Sequence, residues 1–217
     1  MEAATSRDLT GGRSAGAAAP DAVEPAGAGP TIANPAPLGL AAFALTTFVL
    51  SMFNSGLVSD KGVPVVLGLA LAYGGLAQLL AGMWEFRTGN TFGSTAFTSY
   101  GAFWLSFWAF EQFYASKVPA ADAGHAVGLY LIAWGIFTAY MFVASLRTTA
   151  AVATVFALLA ATFIILGIGD AGGNSSITKV GGYVGLVTAL AAWYASFAEV
   201  TNATWGKIVF PVMPLRR

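Results

Sequence analysis

Six stretches of the chain are apolar, and each is long enough to cross a bilayer, which takes about 20 residues of helix. They run Leu38–Val58, Val63–Trp84, Ser94–Tyr114, Ala126–Leu146, Thr148–Ile168 and Val180–Ala198. Their interiors carry no charge, and Glu111 lies near the end of the third. Turn-forming or charged residues divide them, as at Asp60-Lys61-Gly62, Arg87-Thr88-Gly89-Asn90 and Asp170-Ala171-Gly172-Gly173. Spans four and five are separated only by Arg147 and two threonines. The pattern predicts an all-α membrane protein whose six transmembrane helices form one bundle per protomer. Residues 34–212 form that membrane domain, residues 1–33 a disordered cytoplasmic tail, and residues 213–217 a short basic C-terminal tail.

Six spans return the chain to the side on which it began. Arg87, Arg147, Lys207, Arg216 and Arg217 fall on the side of the termini, against Lys61, Lys117 and Lys179 on the other. Short cytoplasmic loops are enriched in Lys and Arg, so both termini are expected in the cytoplasm.

Polar positions inside the spans form a second pattern. Residues at i, i+4, i+8 and i+11 share a helix face. In the first span these are Phe43, Thr47, Ser51 and Asn54: a ring, two hydroxyls and an amide. Such a stripe can line a narrow, partly wet path, or bond to a neighbouring helix or to its own backbone. In the third span Thr95, Ser99 and Ser106 form a second stripe, with Tyr100 pointing about 100° away from Ser99. Only one of these faces can line a narrow path, and the spacing leaves open which. In the fourth span Tyr130, Trp134, Thr138, Met141 and Ser145 share a face suited to packing or a subunit contact. Gln78 lies inside the second span, where its amide either bonds to another helix or joins the path. Glu85 and Glu199 fall where the second and sixth spans leave the membrane, in reach of interfacial water or of a proton-handling role.

Composition narrows the class further. Hydrophobic residues make up 57% of the 217 and charged residues only 9%, against about 25% charged in soluble domains. The mean hydropathy is +0.71. Too few charges remain to cover a water-facing surface, so lipid must cover most of it. Ten basic and ten acidic residues balance, which argues against nucleic-acid binding. With no cysteine and one histidine, disulfides and thiolate metal sites are excluded, and no metal or other cofactor is expected. The first 33 residues hold no apolar run of the kind a signal peptide needs and too little apolar surface to order themselves. No Arg or Lys lies in mid-membrane to hold an anion tightly, and conduction requires weak or multiple sites. Small residues recur at four-residue spacing in Gly74, Gln78 and Gly82, in Gly124 and Gly128, and in Gly181 and Gly185. That spacing lets helices approach closely, within one bundle or between subunits.

Two motifs are specific. The first span is introduced by Asn34-Pro35-Ala36-Pro37-Leu38-Gly39, in which the prolines fix where the helix begins and Asn34 is placed to cap it. After the second span comes Gly89-Asn90-Thr91-Phe92-Gly93-Ser94-Thr95-Ala96-Phe97-Thr98-Ser99-Tyr100-Gly101, followed by Phe103-Trp104. With Tyr73-Gly74-Gly75-Leu76-Ala77-Gln78, these resemble the acetate uptake transporter family, the bacterial succinate–acetate permeases and their fungal relatives. The resemblance covers about residues 33 to 212. It implies six spans with both termini cytoplasmic, a cyclic homohexamer in a bacterial inner membrane, and one path per protomer. It also implies a hydrophobic constriction of Phe, Tyr and Leu, at Phe43 and Tyr100 by motif position. Leu159 is the third, with Leu158 as the one-residue alternative, because span five has no sharp motif. The implied permeant is acetate or a similar small carboxylate, moved by a channel or with protons.

Other functions fit less well. Water and glycerol channels use two Asn-Pro-Ala triplets meeting in mid-membrane and an Arg filter; here there is one triplet, ahead of the first span, and no membrane Arg. A non-transporting sensor has only the long tail to suggest it. His125, near Asp122, reads as an external loop residue with no nucleophile or metal partner, so an enzyme is not expected.

Overall fold

The structure is a computed structural model and describes residues 32–215. All but the last two residues of the expected disordered tail, and Arg216 and Arg217, lie outside the described residues.

Each apolar stretch folds as a helix, because in lipid the backbone must satisfy its own hydrogen bonds. The helices are α1 (Ala36–Asn54), α2 (Pro64–Thr88), α3 (Thr91–Ala109), α4 (Ala120–Ser145), α5 (Ala150–Ala171) and α6 (Ser175–Trp205). Five are long and apolar enough to cross a membrane by length and composition. The exception is α3, whose six Ser and Thr residues dilute its hydropathy. Both ends of the described chain lie at one face, called the near face here; the opposite is the far face.

Several helices run past their apolar cores, because caps rather than hydropathy end them. Asn174 caps α6, its side chain accepting from the amides of Ser176 (3.1 Å) and Ile177 (3.2 Å). The α4 helix starts at Ala120, so His125 is an exposed helical residue and not part of a loop. α1 starts at Ala36, two residues before the predicted span, since a proline is tolerated in a first turn. α2 contains a π segment, Ala72–Ala77, that the apolar pattern gave no sign of.

The helices pack as α4 on α5, α5 on α6 and α6 on α1, with α2 between α1 and α3. Glycines line these seams. A Cβ on Gly128 of α4 would meet the Gly167 carbonyl oxygen of α5 at 2.7 Å, and one on Gly181 of α6 would meet Leu166 at 2.7 Å. A Cβ on Gly74 would meet Thr46 Oγ1 at 2.6 Å and one on Gly124 the Asp170 carbonyl at 2.6 Å, and Gly82 and Gly185 leave the same lack of room against Thr98 and Ser51. The glycines at four-residue spacing therefore serve packing within the bundle, and they lend no support to contacts between subunits.

α3 stands further from α4, and long side chains bridge the gap. The Tyr100 hydroxyl bonds Thr138 Oγ1 at 3.0 Å, and the Ser106 and Tyr130 hydroxyls meet at 2.7 Å. The α4 face of Tyr130, Trp134, Thr138, Met141 and Ser145 thus turns into the bundle. At the near face, residues 209–215 form a strap rather than a free tail. Asn202 Oδ1 accepts from the amides of Val209 (2.7 Å) and Phe210 (3.0 Å), and its Nδ2 donates to the Phe210 carbonyl at 2.8 Å. The strap then bonds the α4–α5 turn, Ala150 N–H to Met213 O at 2.8 Å and Leu215 N–H to Thr148 O at 2.9 Å.

Candidate conduction path: two cavities and an aromatic plug

The sequence around α1 fixes the path's first wall. Asn34, one residue ahead of the N-cap Pro35, accepts from the Ala36 amide through Oδ1 at 3.0 Å, while its Nδ2 donates to Glu199 of α6 at 3.0 Å. One turn later the Ser196 hydroxyl donates to the Pro37 carbonyl at 2.7 Å. Gly39 admits the Phe97 ring of α3, which a Cβ would meet at 2.6 Å. Pro35 is buried and Leu38 is exposed at the bundle surface. The six-residue motif therefore docks α1 against α6 and α3.

The second motif builds the α2–α3 turn. Gly89 takes the left-handed conformation (φ 77°) that ends α2. Asn90 then caps α3 by accepting from the Gly93 amide at 3.1 Å. A Cβ on Gly93 would lie 2.7 Å from the Glu85 carboxyl carbon. Glu85 is fully buried there, its Oε2 accepting from the Thr88 hydroxyl at 3.3 Å.

Two cavities approach each other along the bundle. The near cavity, about 700 Å³, is walled by helix ends and turns, including Ala36, Leu40, Thr88, Asn90, Thr148, Glu199 and Pro214 of the strap. The far cavity, about 530 Å³, is walled by helix faces. Phe43, Thr47, Ser51 and Asn54 all line it, along with Trp104, Tyr130, Leu159 and Thr162. Glu111 and Asp170 lie at its polar end, and among the described residues no Lys or Arg lines either cavity.

Between the cavities lies a cluster of rings. Phe43 and Leu159 line the far cavity, Phe156 lines the near one, and Tyr100 lies in contact with both phenylalanines. Ring centroids stand 5.9 Å apart for Phe43–Tyr100 and 6.0 Å for Tyr100–Phe156. Phe43, Tyr100, Phe156 and Leu159 are all buried. Thr138 donates to the Trp134 carbonyl at 2.7 Å, so the Tyr100 hydroxyl must be the donor in its bond to Thr138. Edge contact with Phe137, at 5.5 Å, also fixes the tyrosine ring. On α5 it is Leu159 that faces the cavity, while the Leu158 carbonyl accepts the Thr162 hydroxyl at 2.8 Å.

Three residues expected on the path line neither cavity. Thr95 and Ser99 are half-buried and line neither cavity, because α3 turns Tyr100, Phe103, Trp104 and Phe107 inward. Gln78 is fully buried just after the π segment and lines neither cavity, with no partner for its Oε1 among the described residues. Phe156 and the strap were missed from the sequence, and Thr138 was read as packing without its bond to Tyr100. Only Phe156 had a signal, standing three residues from Leu159 on the same helix face.

Together these features define a multi-pass α-helical membrane protein with two cavities and a buried cluster of apolar side chains between them. The profile of the GPR1/FUN34/yaaH family matches residues 16–217, and the chain belongs to that family. It is 41% identical over 150 residues to the succinate-acetate/proton symporter SatP of Escherichia coli, a match covering 68% of this chain and 79% of that protein. It is 46% identical over 157 residues to ammonia transport outward protein 2 of Saccharomyces cerevisiae, covering 70% of this chain and 56% of the yeast protein. Acetate permease A of Emericella nidulans is 44% identical over 163 residues, covering 68% of this chain and 55% of the permease. The chain thus spans little more than half the length of the fungal relatives it matches. A solved structure of the bacterial acetate channel SatP superimposes with a TM-score of 0.78 at 40% identity, covering 84% of this chain and 99% of that one.

Proposed function

We propose that the protein conducts acetate and similar small monocarboxylates across a bacterial inner membrane, through one path in each protomer of a homohexamer. Both termini face the cytoplasm, so the near cavity is the inner vestibule and the far cavity the outer one. The constriction is Phe43, Tyr100 and Leu159, and Thr47, Ser51 and Asn54 line the substrate path. The observation that carries this reading is the buried cluster of Phe43, Tyr100, Phe156 and Leu159, of which Phe43 and Leu159 line one cavity and Phe156 the other. A bulky apolar layer dehydrates whatever crosses it, which is costly for an ion and sets a size limit. Thr95, Ser99 and Gln78 have no place on this path.

The ionisable side chains along the cavities favour a proton-linked permeant. Glu111 and Asp170 line the far cavity and Glu199 the near one, with Glu85 close to the near turn. Ionised, they repel an approaching carboxylate within a Debye length of about 8–10 Å. A carboxylate that travels with a proton, or as the neutral acid, avoids that repulsion. Glu85 and Glu199 are the proton-handling candidates, Glu199 with its position set by Asn34. The protein is a transport protein and not an enzyme.

The test is flux of labelled acetate into liposomes, with and without a pH gradient, and with ammonium as competitor. Acetate uptake that rises with an acidic outside supports the reading. Uptake of ammonium with none of acetate overturns it.

A further inference from the structure

We infer that the near end of α6 and the strap that follows it form a lipid-docking edge, seated in the interface of the near leaflet and drawn to anionic phospholipid headgroups by Lys207. The inference concerns where the protein meets lipid, and it holds whatever the protein conducts.

The strap folds back beside α6 to membrane depth. Phe210 packs on Phe197 with ring centroids 4.6 Å apart, and the Tyr194 hydroxyl donates to the Pro211 carbonyl at 2.7 Å. Tyr194 and Phe197 lie within the apolar stretch Val180–Ala198, and both are exposed on the outside of the bundle. An irregular segment at that depth must find partners for its backbone inside the protein, because lipid offers none. Most of the strap's backbone groups are paired in this way. Asn202 holds the amides of Val209 and Phe210 and the Phe210 carbonyl. The amides of Ala150 and Ala151 donate to the carbonyls of Met213 (2.8 Å) and Val212 (3.3 Å), and the Leu215 amide donates to Thr148. Pro211 and Pro214 have no amide to satisfy.

The outward side chains agree. Ile208 is 82% exposed, and Trp205 and Met213 are 63% exposed each. Large apolar side chains beyond a helix end are costly in water, and tryptophan is enriched at the level of the headgroups. Lys207 stands between Trp205 and Ile208 in the turn that Gly206 makes (φ 64°), with its Nζ 6.0 Å from the Trp205 ring centroid. A lysine stem can lie along apolar surface while its ammonium reaches a phosphate.

Charge selects the partner. Arg87, Arg147 and Lys207 are exposed at this face, whereas its carboxylates Glu85 and Glu199 are buried and half-buried. A leaflet rich in anionic phospholipid complements such a face.

The chain has no cysteine, so Ile208→Cys can carry a single fluorophore on the full chain in nanodiscs. Met213→Cys is the second probe should the first disturb the turn. The expected result is strong quenching by nitroxide-labelled lipid and weak quenching by aqueous iodide. Labelled phosphatidylglycerol should reach half-maximal quenching at an about fivefold lower mole fraction than labelled phosphatidylcholine, as expected for one lysine near a charged interface. Lys207→Gln in the same probe should bring the two lipids together. Stronger quenching by iodide than by lipid would place the edge in water and overturn the inference. A probe that neither quencher reaches would overturn it too, since a second copy of the chain or another protein would then cover the edge. Equal half-maximal quenching by the two lipids with Lys207 in place would overturn the selection of anionic headgroups.

Discussion

The two cavities are built by different means. The far one is walled mainly by the faces of α1, α3, α4 and α5, with Val63, Phe110 and Glu111 beyond them, and Phe43, Thr47, Ser51 and Asn54 descend α1 in sequence order. The near one is walled largely by ends and turns, namely the Ala36 start of α1, the Thr88–Asn90 turn, the Thr148–Thr149 turn and Pro214 of the strap, with Leu40, Phe97 and Phe156 from helix interiors. A helix face positions side chains through its own period. A wall of chain ends depends on contacts between distant segments, such as Asn34 with Glu199 and Asn202 with residues 209–210. We therefore expect far-side substitutions to change what passes, and near-side substitutions first to change how well the face holds together.

The largest effect should come from opening the plug. Phe43→Ala should admit longer acids while keeping or raising acetate flux, measured with competing radiolabelled acids in liposomes. Removing a buried phenylalanine should also lower stability by about 3–5 kcal/mol, so assembly is checked by oligomer size. Unchanged relative rates across the acids would place the constriction elsewhere.

A smaller, purely structural effect is expected at the near face. Asn202→Leu removes three hydrogen bonds that hold the strap. The segment is partly exposed, so a loss of about 1–3 kcal/mol is expected, read as a lower melting temperature with acid selectivity unchanged. A shift in selectivity without destabilisation would put the strap on the path and erase the contrast between the two cavities.

Tyr100→Phe sharpens the plug's role. The ring stays, and the Thr138 hydroxyl keeps its bond to Trp134, so stability should fall by only about 1 kcal/mol and size selectivity should hold. Asn54→Leu should lower acetate flux and leave size selectivity alone. The smallest effects belong to Thr95→Ala and Ser99→Ala, half-buried positions off both cavities. Each should stay within about 0.5 kcal/mol of the parent in stability, with parental flux. A marked loss of transport in either would return that face of α3 to the path.

This contrast also explains what could be read from the sequence. The apolar runs marked all six helices, and the 100° spacing picked out the α1 stripe, because both depend only on neighbours along the chain. The same spacing could not decide between Ser99 and Tyr100 on α3, since the choice depends on which helix stands opposite. It also could not tell whether Gly128 meets its own α5 or another subunit. Thr138 looked like packing because its role is to hold Tyr100, 38 residues away. The strap was invisible because its bonds join a turn to a terminal segment, with no periodic pattern at all.

The central claim is that the two cavities open to opposite sides of the membrane and are joined only through the plug. The chain has no cysteine, so a single introduced thiol can report this directly. Asn54→Cys lies in the far cavity and Thr91→Cys in the near one. A membrane-impermeant, charged thiol reagent applied to oriented vesicles should modify Asn54→Cys from one side only and Thr91→Cys from the other only. Either modification should block acetate flux. Modification of both from the same side, or modification that leaves flux intact, would contradict the account.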